Sequence, residues 1–149
     1  MNIWERLRIA GRRWLPGASA AIPVPDGWIV EHQSAQDCYL VSPDETASLD
    51  VQLHTAELPD GPENPCRDLL ETVLPAGAII KDLGQRKALG IYQSDPEDNV
   101  VTYHWQLVKQ VSRTQVEILH YELELNIEVE EEQRAPLLRA VESCVWGSW

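Results

Sequence analysis

Val101-Thr102-Tyr103-His104-Trp105-Gln106-Leu107 and Leu119-His120-Tyr121-Glu122-Leu123-Glu124-Leu125-Asn126-Ile127-Glu128-Val129 alternate apolar with polar residues at every step. Successive side chains of a strand point to opposite faces, so each stretch predicts a strand with one face on a core and the other toward water. That pattern belongs to antiparallel sheets; parallel strands, covered on both faces, read as unbroken apolar runs. The connection around Ser112-Arg113-Thr114 is short enough for a hairpin. If pairing keeps parity, His104 then lies opposite either His120 or Glu122.

Earlier in the chain, Pro23-Val24-Pro25-Asp26-Gly27 predicts a turn, because proline fixes φ and glycine supplies positive φ. It leads into a strand over residues 28–31, and a second strand over 37–41 closes at Ser42-Pro43-Asp44-Glu45. Leu49, Val51 and Leu53 alternate with Asp50, Gln52 and His54 in a third. Asn64 is a good N-cap and Pro65 a good first helical residue. Cys66, Leu69, Leu70, Val73 and Leu74 form that helix's apolar face up to Pro75. Residues 78–81 and 88–93 read as strands, with a turn at Asp95–Asn99. A last helix is expected from about Ala135, with Pro136 in its first turn and Leu137, Leu138, Val141 and Val145 as its buried stripe. The order β-β-β-α-β-β-β-β-α predicts one α+β domain over residues 21–149, a mainly antiparallel sheet flanked by helices.

A chain of 149 residues is long enough to bury a real core, and no window reaches the ~18 unbroken apolar residues of a spanning helix. Twelve Lys+Arg against 24 Asp+Glu leave a formal charge of −12. Nucleic-acid affinity comes from basic groups that displace counterions, so that balance argues against a nucleic-acid partner. Cys38, Cys66 and Cys144 are far apart and odd in number, which fits buried thiols in a reducing compartment better than a disulfide framework.

The charge is unevenly spread: residues 1–13 carry Arg6, Arg8, Arg12 and Arg13 against Glu5 alone. At ~100° per residue, Ile3, Trp4, Leu7, Trp14 and Leu15 share one helical face. Residues 1–16 therefore read as a basic amphipathic segment whose helix stops at Leu15 before Pro16-Gly17. Such a helix could pack on the domain or on a second copy in a homodimer. It could also lie in a membrane interface, with arginines on anionic lipid, or be an export signal, for which it lacks an unbroken apolar region. Among the six tryptophans, Trp28 and Trp105 fall on strands and read as core, whereas Trp4, Trp14, Trp146 and Trp149 are terminal. Tryptophan is enriched at binding hot spots, so Trp4, Leu7, Trp14, Trp146 and Trp149, with Arg8 and Arg12 beside them, are the candidate partner-binding residues.

The stretch Ile22-Pro23-Val24-Pro25-Asp26-Gly27-Trp28, the strand Leu49-Asp50-Val51-Gln52-Leu53 followed by one helix, and the close at Val141-Glu142-Ser143-Cys144-Val145 resemble the PsbP-like superfamily over about residues 21–146. That resemblance implies an α/β/α sandwich and a noncatalytic scaffold that binds other proteins or assists assemblies; one bacterial branch chaperones secretion effectors. The sequence departs from that branch in lacking a recognisable N-terminal strand, since an Arg/Trp helix is expected there.

The even-numbered residues of the sheet form the sharpest chemical cluster. His104, His120 and Glu122 could ligate zinc, which needs nitrogen and oxygen donors at ~2.0–2.2 Å in a tetrahedral array, although a solvated strand face has the same composition. The loop at Asp95, Glu97, Asp98 and Asn99 lacks the glycine and terminal glutamate of an EF-hand. No nucleophile elbow, H-E-x-x-H or phosphate loop is present. The reading is a noncatalytic bacterial, cytoplasmic protein-binding or assembly module without a cofactor; the alternatives are peripheral membrane attachment through residues 1–15, a secretion-effector chaperone of the superfamily it resembles, and a metal-binding protein.

Overall fold

The computed structural model describes residues 12–14, 21–23, 27–34, 36–58, 65–84, 86–128 and 131–147. These contain strands β1 (Arg12–Trp14), β2 (Ala21–Pro23), β3 (Ile29–Gln33), β4 (Asp37–Val41) and β5 (Ala47–Glu57), then helix α1 (Pro65–Val73). Strands β6 (Ile79–Asp82), β7 (Lys87–Glu97), β8 (Val100–Gln110) and β9 (Gln115–Asn126) follow, and helix α2 (Glu131–Gly147) closes the chain. Seven strands form one sheet in the order β3-β4-β5-β9-β8-β7-β6, each neighbouring pair antiparallel. The class is α+β, as the alternation at Val101 and Leu119 predicts.

Several local expectations are corrected. Arg12–Trp14 is not the last turn of a helix but a strand that pairs with Ala21–Pro23 in a separate two-stranded sheet. Backbone pairing across the intervening Pro16-Gly17 outweighs a weak helical periodicity. The expected helix over residues 1–11 lies outside the described residues. Strand β7 continues past residue 93 to Glu97, with its register shifted between Ser94 and Glu97. Pro96, which has no N–H for the ladder, falls within that irregularity, where proline is tolerated. The turn itself is Asp98-Asn99, with φ of 52° and 62°, the left-handed pair of a two-residue hairpin. Strand β9 stops at Asn126, so Ile127 is 41% exposed instead of joining the core. Helix α2 begins at Glu131, earlier than Ala135, which places Pro136 inside it.

Gly27 adopts the expected positive φ, 80°, ahead of Trp28, and a Cβ there would press on Pro43.

Alternation becomes two layers of burial. Leu49, Val51, Leu89, Trp105, Leu107, Leu119, Tyr121, Leu123 and Leu125 form the main core with Val141 and Val145 of α2. On the opposite face, Ala88, Val108 and Val116 pack with Cys66 and Leu70 of α1, and Ile118 adjoins them. Cys38 and Cys66 are buried thiols in these two separate clusters.

Helix α1 meets β6, β7 and β8 and comes down onto the sheet at Gly90. A Cβ at Gly90 would collide with Leu74 Cδ1 and lie 3.3 Å from Leu70 Cδ2. Gly90→Val should therefore destabilise the fold by ~1–3 kcal/mol, the usual cost of overpacking, as a fall in the urea midpoint with unchanged slope.

Candidate functional site on the polar face of the sheet

Helix α1 covers the end of this face where Ala88, Val108 and Val116 lie. The rest of the face carries Asp50, Gln52, Thr102, His104, Gln106, His120, Glu122 and Glu124. Register places all four histidines of the chain on it: His32 pairs with Tyr39, His54 with Ile118, His104 with Glu122 and His120 with Gln106. Of the two partners parity allows His104, the hairpin selects Glu122 as the directly opposite residue and leaves His120 on the diagonal.

His104 is the centre of the cluster and is 7% exposed. Its Nε2 lies 2.7 Å from Ser94 Oγ, and its Nδ1 lies 3.0 Å from His120 Nε2. In the tautomer that accepts the Ser94 hydroxyl proton at Nε2, the ring proton is on Nδ1 and donates to His120; in the other, Nε2–H donates to Ser94 Oγ and His120 donates to Nδ1. Tyr92 stacks flat on the imidazole, with centroids 4.2 Å apart and planes 5° apart. Glu122 Oε1 stands 3.9 Å from Nδ1. Burial holds His104 below the ordinary imidazole value while the Glu122 charge opposes it. Burial does the same to His120, aided by His104 and opposed by Glu122.

A second polar line runs along β5 and ends beside Asp37 of β4. Gln52 Nε2 donates to Asp50 Oδ2 at 2.9 Å, and His54 Nε2 is 3.2 Å from Gln52 Oε1. Burial, followed by the neighbouring Asp37 carboxyl, pushes Asp50 up to about 7 against the pull of Gln52. Asp50 therefore binds a proton in the folded state between its ordinary value of 3.8 and about 7, where the unfolded chain does not. Its contribution to stability falls as pH rises through that window. His104 and His120 act oppositely: their stabilising neutral forms are lost as pH falls below the ordinary imidazole range. Asp50→Asn should raise the urea midpoint above that of the unaltered chain at pH 8 and leave it close at pH 4; equal midpoints at both would contradict the raised carboxyl.

Besides an open hollow of ≈ 460 Å³ that Tyr92 and Ser94 line with Gln93 and residues 75–78, two more border the cluster. One, of ≈ 380 Å³, is lined by Ser94, Glu97, Asp98, Thr102, His104, Glu122 and Glu124. Glu124 also lines the other, of ≈ 240 Å³, with Tyr39, Glu45 and Ser48.

The structure thus brings together His104, His120 and Glu122, but the facing histidine nitrogens bond each other. Among the described residues no three His, Cys, Asp or Glu side chains are grouped to hold a metal ion. The terminal set is not reached in the same way. Trp4, Leu7, Arg8 and Trp149 lie outside the described residues. Arg12 and Trp14 are placed by backbone in β1, and Trp146 in α2. Sequence reasoning missed Ser94, Tyr92 and Asp37. The signal for the first two was the even parity they share with His104 across β7 and β8, but a composition of Tyr, Gln and Ser marks no chemistry by itself.

No protein-family model matches the chain, and no curated protein sequence matches it. Among solved structures, the crystal structure of the Saccharomyces cerevisiae Ran-binding protein Mog1p is similar over 93% of this chain and 93% of its own, with a TM-score of 0.56 and 13% identity. A mutant form of the protein Mog1 is similar over 93% and 94%, with a TM-score of 0.53 and 13% identity. The fold is that of Mog1. At this identity the likeness speaks for architecture, consistent with a seven-stranded antiparallel sheet carrying a helix on each face. No helix among the described residues is long and apolar enough to cross a membrane.

Proposed function

We propose that this chain is a protein-binding or assembly accessory module of the PsbP-like superfamily that contacts its partner through its terminal segments. The observation that carries the reading is the placement of the N-terminal hairpin: β1 pairs with β2, and β2 packs on α2. The strand bearing Arg12 and Trp14 and the helix bearing Trp146 thereby belong to one side of the fold. Domain termini that meet in this way offer a composite surface, and tryptophan supplies large contact area at low rotamer cost. The element order β-β-β-α-β-β-β-β-α from β3 onward and the likeness to a Ran-binding protein support the superfamily and the protein-partner reading.

The test uses full-length bait in a lysate of the native host, beside a Trp4→Ala/Trp14→Ala bait. One stoichiometric protein should be held by the first and lost from the second, with coincident melting curves for the two baits. A lower melting temperature in the double variant would instead assign both indoles to the fold, and retention of the partner by both baits would move the interface elsewhere.

A further inference from the structure

We infer that Ser94 is an activated nucleophile, with His104 as its general base, which accepts an acyl group from a positively charged ester or thioester. The inference is independent of the protein-binding reading and rests on the polar face alone.

A serine hydroxyl is a poor nucleophile until a base oriented by a third group receives its proton. Three strands supply those parts. Ser94 on β7 is 2.7 Å from His104 Nε2 on β8, and His104 Nδ1 is 3.0 Å from His120 Nε2 on β9. In the tautomer that Glu122 favours by facing Nδ1, Ser94 donates to Nε2: the lone pair that receives the proton then faces the nucleophile and Nδ1–H faces away. Stacking on Tyr92 fixes the plane of the base, and Glu122, 3.9 Å from Nδ1, faces the positive charge that forms on the ring. His120 and Glu122 are positioning residues in this scheme. Tyr92, Ser94, His120 and Glu122 are the groups around the imidazole, and its lowered proton affinity keeps it neutral and able to act as a base near pH 7.

Ser94 also lines the ≈ 380 Å³ hollow, whose walls carry Glu97, Asp98, Glu122 and Glu124 and, among the described residues, no lysine or arginine. A cleft of one sign concentrates the opposite charge, which selects a cationic acyl donor. In the step, Ser94 Oγ attacks the carbonyl carbon, the O–C bond forms and His104 Nε2 takes the hydroxyl proton. The C–S or C–O bond of the donor then breaks, and the departing thiolate or alkoxide takes that proton from His104. The product is an O-acyl serine.

The full-length chain is incubated with acetylthiocholine and, separately, with the neutral analogue propyl thioacetate, and followed by intact mass and peptide mapping. One acetyl group should appear on Ser94, faster with the cationic thioester by about tenfold or more. Ser94→Ala should abolish the adduct, and His104→Gln should slow it by about 10²–10⁴-fold, the usual contribution of a general base. Because His104 is buried and its substitution also tests the fold, the unaltered chain supplies a second measurement. Its labelling rate should fall about tenfold per pH unit once the imidazole is protonated, and His120→Gln should move the pH of that fall. No adduct on Ser94, or a rate that is flat with pH, overturns the inference; equal rates for the two thioesters overturn the cationic class of donor.

Discussion

Trp105→Ala should lower the stability of this protein by ~3–5 kcal/mol, the range for truncating a buried large aromatic. Trp105 stands on the central strand pair β8–β9, opposite Tyr121, and is 2% exposed; Tyr121 is fully buried. Its indole fills the layer between the sheet and α2, in the cluster that includes Val141 and Val145. Domains of this kind are stable by only ~5–15 kcal/mol, so the loss is a large fraction of the total. Trp105 Nε1 is buried and has no hydrogen-bond partner among the described residues. Trp105→Phe keeps most of the ring area and removes that unsatisfied donor, so it should cost far less than the alanine variant. Urea denaturation followed by far-UV circular dichroism checks both; equal losses would mean that the indole N–H is satisfied after all.

Leu70→Ala should cost ~2–5 kcal/mol by the same cavity argument, although Leu70 lies on the opposite face. Helix α1 is held by a small cluster in which only Cys66, Leu70, Ala88, Val108 and Val116 are fully enclosed. Its visible ion pairs, Arg67 with Glu71 and Arg67 with Asp82, each 3.0 Å, lie at the surface. Exposed pairs gain little because water screens them and two long side chains must be ordered. Arg67→Ala should therefore leave the denaturation curve almost unmoved while Leu70→Ala shifts it strongly. The reverse ranking would show that α1 is fastened by charge and not by burial.

The extent to which the sequence foretold this arrangement differs from element to element. The strands β8 and β9 and their two faces were legible because period-two alternation is a direct consequence of the pleat. Helix α1 was legible from Asn64-Pro65 and its apolar stripe, and it begins at Pro65 as expected. The N-terminal segment was misread at Arg12–Trp14 because apolar residues at helical spacing mark a helix only when no strand partner is available. Here Ala21–Pro23 is that partner. The histidine cluster was half legible: parity put His104, His120 and Glu122 on one face, but hairpin register decided which of them met. Ser94 and Tyr92 were invisible as chemistry because their meaning depends on the neighbouring strand β8.

What the sequence determined by itself is local: which residues face the core, where the glycine and proline turns fall, the order of strands and helices from β3 onward, and the acidic balance. Each follows from backbone geometry and side-chain hydrophobicity over a few residues. The pairing of β5 with β9 was decided only by the tertiary structure. It sets Asp50 opposite Glu122 and Gln52 opposite His120, and the β7–β8–β9 register completes the line from Ser94 to His120. Those contacts join segments distant along the chain, and their free energy comes from one shared core, so no window of sequence contains them.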